Sequence, residues 1–342
     1  MSIGAEVDKA IGAAVTFLAA VQHASGEIPA LISTDPDLIA NARPVPMVFP
    51  TALAAQALSS CTEARDVHAA ACRFLVDEQG PRGLWRHPSR SAVNYSLLPT
   101  DVDDTSCASA AIEGTGHLIP NRNLLLDNRR SDGLFLTWVI PRMRWFGRVG
   151  VRSWGRSFSH LPKWAAFFRE ATAAVDDVDL VVNANCLFYL RDFDRREVVV
   201  DALLDVLRTG RETECDKWYD NHFVVLYLIS RALRTAAVDA RPLMAKRINH
   251  RAPHSPLERA LDISVRFDWN LEITEDRVAT LLGKQGNDGS WPRSSFYNGG
   301  RDRLRDGTLA APRPVQYYWG SEALTTCFVL EALARWRKDA VA

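Results

Sequence analysis

Three carboxylates stand almost side by side in DVDDTS, residues 101–106, at the start of an apolar run that reaches residue 113. Like charges at the spacing of Asp101, Asp103 and Asp104 repel one another, and in an apolar setting such a cluster keeps a proton that an isolated carboxyl would lose. That makes a general acid. A helix beginning here would place its positive end beside the anion left after proton transfer. The same residues also suit a purely structural role, because acids favour helix starts and Thr100 with Asp103 approximates a capping box.

Other apolar segments begin in the same way. Asp176, Asp177 and Asp179 precede VVNANCLFYL, with Asn183 one turn beyond Asp179. Asp216 and Asp220 flank Trp218 and Tyr219 in CDKWYDNHF, and Tyr317, Tyr318, Trp319 and Glu322 introduce the last apolar segment. Carboxylates, amides and aromatic rings gathered at one end suit carbocation chemistry or metal-assisted diphosphate binding; acids on solvated helix ends are the structural alternative. Asn183 and Asn185 lie inside an apolar run, where a buried amide needs partners. Residues 134–169 contain no Asp or Glu, and their Arg and Lys residues interleave with Trp and Phe. This basic aromatic insertion could hold a diphosphate through Arg148 and Arg152, meet a membrane surface, or pack on the acidic end.

The elements that must position these residues are helices. Amphipathic stripes run through 5–22, 66–77, 196–208 and 275–284, whereas 47–60, 102–113, 178–190, 222–233 and 321–335 are apolar almost all round. Strand alternation is almost absent. Amphipathic and fully apolar helices alternate, and the links between them repeat: QGNDGSW (285–291) and QGPRGLW (79–85) share Gln, Gly and Trp at one spacing, with weaker copies in 17–29 and 124–138. Five or six such hairpins can close into an α/α toroid, the apolar set inside and the amphipathic set outside; an open helical solenoid is the alternative. The parallel inner helices would then bring all the acidic starts to one mouth. The expectation is a single barrel domain over 1–342, interrupted by the insertion at 134–169.

The Gln-x-x-x-Gly-x-Trp links resemble the QW motif of the squalene–hopene cyclase and prenyltransferase repeat superfamily, and DVDDTS resembles the D-x-D-D-T motif of class II terpene cyclases. The resemblance implies proton-initiated cyclisation of a polyprenyl substrate, a prenyl diphosphate in the first instance. By position Asp103 would be the proton donor, with Asp101 and Asp104 tuning it. It implies no cofactor for the chemistry itself, with Mg²⁺ accompanying a diphosphate substrate. Known class II cyclases pair two barrels, so a homodimer, a partner domain or the 134–169 insertion would have to close the cavity. Two other readings stand beside it: a catalytically silent barrel binding a lipid or protein, and a toroid carbohydrate-active enzyme pairing Asp103 with Asp179 or Asp220.

Composition narrows the remaining classes. The 342 residues carry 41 Lys+Arg against 41 Asp+Glu, which argues against a nucleic-acid partner. The six Cys, none at C-x-x-C spacing, read as buried free thiols of a reducing compartment. Glu6 and Asp8 ahead of the first apolar run argue against a secretory signal, and a cytoplasmic protein is expected. There is no P-loop, dinucleotide-binding glycine pattern or HExxH; Cys215, Asp216 and His222 have the residue types of a zinc site without its spacing, and DDVDL (176–180) only approximates the D-D-x-x-D motif of ionising terpene synthases.

Overall fold

The computed structural model describes residues 2–140, 161–304 and 308–341. Its helices form outer–inner hairpins: α1 (Ile3–Val21) leads into α2 (Val48–Leu58), and α3 (Arg65–Glu78) into α4 (Val102–Ile112). Next, α5 (Arg122–Asp127) precedes α7 (Leu180–Leu190), with α6 (Leu161–Glu170) between them. The set continues with α8 (Arg196–Thr209) and α9 (His222–Thr235), α10 (Arg241–Ile248) and α11 (Pro256–Asp268), then α12 (Glu275–Leu282) and α13 (Glu322–Val341). Helices α2, α4, α7, α9, α11 and α13 each pack on the next, and α13 packs on α2, so the inner layer is a closed ring. Around it, α3 lies against α2 and α4, α8 against α7, α10 against α9 and α11, and α12 against α11 and α1. This is the expected α/α toroid, with the apolar helices inside because they have no polar face to give to water.

One inner helix was not expected from hydrophobicity. The outward face of α11 is polar: Asp262 takes an ion pair from Arg266 at 3.0 Å and another from Arg277 of α12 at 2.9 Å. The outer helices beside it, α10 and α12, have only 8 residues each, so a polar network completes the cover that longer apolar helices give elsewhere. Amphipathicity therefore misassigns the layer here.

Strands also enter where no alternation announced them. β1 (Ala30–Ser33), β2 (Arg43–Val45), β5 (Ser295–Asn298) and β6 (Tyr318–Gly320) form an antiparallel sheet in the order β2-β1-β6-β5, and β3 (Thr100–Asp101) pairs with β4 (Trp138–Val139). Strands of two to four residues are too short to show a period of two. Their register sets the site, placing Tyr297 opposite Trp319 and Asp101 opposite Trp138.

The links repeat one arrangement. The indole N–H of Trp85 donates to Leu75 O, and that of Trp291 to Leu281 O, both at 2.8 Å. Side-chain oxygens on inner helices accept the backbone N–H of the link residue: Thr51 from Ile28, Thr105 from Trp85, Asn183 from Phe135 and Thr326 from Trp291. Gln22 and Gln285 reach across to the following outer helix, to Val67 O at 3.0 Å and Ala10 O at 2.9 Å. Gly289 sits where the last link passes α1, with φ +89° and an added Cβ only 2.4 Å from Ala13 O. Gly289→Ala should therefore destabilise by about 2 kcal/mol or more. Gly12→Ala, in α1, where a Cβ would meet nothing within 4 Å, should instead stabilise by about 0.5–1 kcal/mol. Urea midpoints at constant m would separate the two.

All six cysteines are buried and unpaired. Among the described residues, no helix is long and apolar enough to cross a membrane. Of the insertion, 134–140 carry β4 and 161–170 form α6; Arg148 and Arg152 lie outside the described residues.

Candidate active site

A cavity of about 360 Å³ opens at the end of the ring where the inner helices begin. Asp101, Asp103 and Asp104 line it, at the first turn of α4. Asp101 is the helix cap: its Oδ1 accepts the Asp104 N–H at 2.7 Å, so the Thr100–Asp103 capping box does not form. Thr100 Oγ1 instead donates to Val139 O at 3.2 Å across the β3–β4 pair. With capping assigned to Asp101, the Asp103 carboxyl is released from backbone duty.

Asp103 has partners of a different kind. Tyr219 Oη donates to its Oδ2 and Asn185 Nδ2 to its Oδ1, each at 2.5 Å. Burial pushes its pKa up to about 6; the Tyr219 and Asn185 hydrogen bonds pull downward, Asp101 pushes upward and the Arg231 charge pulls downward. Burial takes Asp104 up to about 7, with the Asp101 side chain opposing and Asp103 adding. Asp101 lies well above the carboxylate range, through burial and then the Asp104 charge. His87 Nδ1 lies 3.4 Å from Asp104 Oδ1, and its Nε2 lies 3.2 Å from Tyr297 Oη. Burial lowers the His87 pKa, against Asp101 and Asp103, so the ring favours its neutral form. The site is a carboxyl cluster that retains a proton near neutrality.

The walls are aromatic. Phe49, Trp138, Trp218, Tyr219, Tyr297 and Trp319 all face the cavity. Tyr297 and Trp319 stack at 5.3 Å between ring centroids, His87 meets Tyr297 edge-on at 5.2 Å, and Trp138 meets Trp218 edge-on at 5.9 Å. Such faces stabilise a positive charge without offering it a nucleophile.

The expected site residues divide. Trp218, Tyr219, Tyr317 and Trp319 line the cavity with the DVDD carboxylates. Asp179 is buried behind the wall, accepting from Thr137 Oγ1 at 2.9 Å and Trp218 Nε1 at 3.1 Å and pairing with Arg303 at 2.9 Å. Asp216 accepts the backbone N–H groups of Val181 and Trp218, both at 2.9 Å. These two acids orient Trp218 and fix the start of α7, and neither lines the cavity. Asn183 is spent on the link, accepting from Phe135 N at 2.8 Å and donating to Phe135 O at 3.1 Å. Asp176 and Asp220 are exposed, and Tyr318 is in the strand pairing of β6; none of the three lines the cavity. Cys215 and His222 turn to Glu212 O and Arg247 O, and among the described residues no cluster of three or more His, Cys, Asp or Glu could hold a metal ion.

His87, Phe49 and Tyr297 were not anticipated, whereas Trp138 belongs to the basic aromatic stretch at 134–169. The first three come from a loop, an inner helix and a short strand, with no motif to mark them. Asn185 had one signal, an amide inside an apolar helix.

No protein-family profile matches the chain, and no curated protein is detectably similar to it in sequence. Solved structures are similar in fold. The apo type II terpene cyclase MstE from Scytonema shares 17% identity with a TM-score of 0.65, over 98% of this chain and 99% of that one. A substitution variant of MstE, solved with its substrate geranylgeranyl dihydroxybenzoate, superposes equally well, with a TM-score of 0.65 at 16% identity, over 98% of this chain and 99% of that one. An ent-copalyl diphosphate synthase from Streptomyces platensis gives a TM-score of 0.52 at 16% identity, over 84% of this chain and 50% of that one. The chain has the fold of these type II terpene cyclases.

Proposed function

We propose that the protein is a class II cyclase that protonates a polyprenyl chain, with Asp103 as the acid. The observation that carries this reading is the Asp103 carboxyl, held by Tyr219 and Asn185 in a cavity walled by aromatic rings. In the step proposed, the Asp103 O–H bond breaks as a C–H bond forms at the terminal alkene of the chain, or, on an epoxide, as an O–H bond forms at the ring oxygen and the C–O bond to the tertiary carbon opens. The tertiary cation is then attacked by internal double bonds, and the cascade ends by loss of a proton to water or by capture of water with loss of one of its protons, after which solvent returns a proton to the Asp103 carboxylate. Tyr219 and Asn185 already donate to both carboxyl oxygens, so the anion meets its hydrogen bonds without reorganisation. Because both donors are in place, the transferable proton must occupy a lone pair that neither engages. The substrate is a chain of the geranylgeranyl class bearing a polar head group, as with the substrate of the structurally similar MstE.

The pairs required by a glycosidase are not assembled. Asp179 is buried and ion-paired, Asp220 is exposed, and neither shares the cavity with Asp103. The protonation proposed uses the Asp103 carboxyl with the Tyr219 phenol and the Asn185 amide.

The test is incubation with geranylgeranyl diphosphate and geranylgeranyl dihydroxybenzoate, each with and without Mg²⁺. A cyclised product with the head group retained is expected from at least one. Recovery of both chains unchanged, with the protein folded, would sink the reading. The pH profile should have an alkaline limb only. The acid must carry its proton, so turnover falls as pH rises through about 6 to 7, the cluster titrating as a unit. An acidic optimum lost below pH 5 would contradict it.

A further inference from the structure

A buried cation lies behind the acid. Arg231, on α9, is 8% exposed, and among the described residues no carboxylate comes within salt-bridge distance of it. Its guanidinium sits between aromatic faces, 4.6 Å from the Phe188 centroid and 5.6 Å from that of Tyr227. Nη2 donates to Asn185 Oδ1 at 2.5 Å, Nη1 donates to Gln56 Oε1, and Nε has no partner. Burying a cation this way costs several kcal/mol that a hydrophobic residue would not.

The arrangement has a directional consequence. A guanidinium has donors only, so the end of the Asn185 amide that meets it must be the carbonyl oxygen. The amide is planar, and its other end, Nδ2–H, is thereby turned toward Asp103, 2.5 Å from Oδ1. Gln56 is fixed by the same logic, its Oε1 toward Arg231 and its Nε2 donating to Cys107 O at 2.5 Å. Without Arg231 the Asn185 amide could turn over and present an acceptor to an acid that must become an anion.

We infer that Arg231 is a positioning residue for the proton donor: it orients the Asn185 amide N–H onto Asp103 and supplies the positive charge against which the Asp103 carboxylate forms. The inference rests on the reading of Asp103 as the acid. Asp103 also faces Asp101, Asp104 and Cys107 on α4, Cys186 on α7, Tyr219 and Asp216 before α9, His87 before α4 and Tyr297 on β5. Arg231 faces Cys107 on α4, to whose Sγ its Nη2 also donates at 3.6 Å, Tyr227 on its own helix and Glu331 on α13, with Arg335 beyond them. Of these groups Arg231 is the fixed positive charge that draws the Asp103 pKa down, so its removal has one sign.

The experiment titrates the Asp103 carboxyl by NMR in ¹³C-aspartate-labelled protein, assigning the resonance by its loss in Asp103→Asn. In Arg231→Gln the midpoint should rise by about one pH unit, and turnover of geranylgeranyl diphosphate should fall about tenfold as the acid weakens. An unmoved midpoint in folded Arg231→Gln overturns the inference. Should that variant fail to fold, Gln56→Glu keeps Arg231 and neutralises it in place. It too should raise the midpoint, and an unmoved midpoint there overturns the inference equally. Failure of the cyclase reading shows elsewhere, as full turnover by Asp103→Asn, whereas the titration reports Arg231 whatever the substrate.

Discussion

Asp103→Asn should abolish cyclisation while leaving the barrel intact. Asn keeps the size of the side chain and can still accept from Tyr219 or Asn185, but it has no proton to give. Turnover should fall by roughly 10²–10⁴-fold, the usual cost of a lost general acid. The stability change is predicted with its sign. The folded-state pKa of Asp103 lies at about 6, above the ordinary carboxyl value of 3.8. The folded protein therefore holds that proton more tightly than the unfolded chain. The stabilisation this gives is complete below the unfolded pKa and lost as pH rises through about 6. Asn does not titrate, so the variant should be at least as stable as wild type at pH 8 and lose that advantage toward pH 5. Asp101→Ala should behave oppositely. It removes the helix cap and should cost about 0.5–2 kcal/mol. Turnover rates with melting curves at two pH values check all of this, and equal rates for Asp103→Asn and wild type would sink the mechanism.

The two flanking carboxylates illustrate how much of the site was legible. DVDD is contiguous, so its residues must share a turn of helix, and spacing alone predicts a crowded acidic start. Which of the three caps the helix and which is left to Tyr219 and Asn185 depends on one φ/ψ pair at Asp101, and sequence does not fix that. The acids ahead of α7 and α9 look equivalent in sequence, yet Asp179 and Asp216 hold Trp218 and the start of α7 from behind. A helix start rich in acids does not distinguish a wall from what supports it. Tyr297 and His87 had no signal, because a four-residue strand and a loop carry no periodicity.

The fold was more legible, since the alternation of apolar and amphipathic helices is a property of whole segments. Five of the inner helices are apolar almost all round and could be assigned without tertiary information. The sixth, α11, depends on the shortness of its neighbours, which is not a feature of its own sequence. Asn183 and Thr105 teach the complementary lesson: a polar residue in a buried helix here accepts a backbone N–H from the adjoining link. Asn183 was thus legible as an amide needing partners but not as part of the frame.

That frame predicts the second large effect, the loss of stability on truncating Trp291. Its side chain is fully buried, its indole N–H donates to Leu281 O at 2.8 Å, and its backbone N–H donates to Thr326 Oγ1 at 3.1 Å. It thereby joins the end of α12 to α13, while Gln285 in the same link donates to Ala10 O on α1. This is the seam where the last hairpin meets the first helix. Helix α12 has only 8 residues to secure its place, too few to be stable without tertiary contacts. Trp291→Ala should cost about 3–5 kcal/mol through the lost apolar surface and the cavity left behind. Trp291→Phe retains most of the volume and loses the indole donor, but Leu281 O still accepts the Lys284 N–H, so the cost should be about 0.5–1.5 kcal/mol. Urea unfolding followed by circular dichroism at constant m would measure both. A cost below about 1 kcal/mol for Trp291→Ala would mean that the seam is held by the α13–α11 and α13–α2 packing alone.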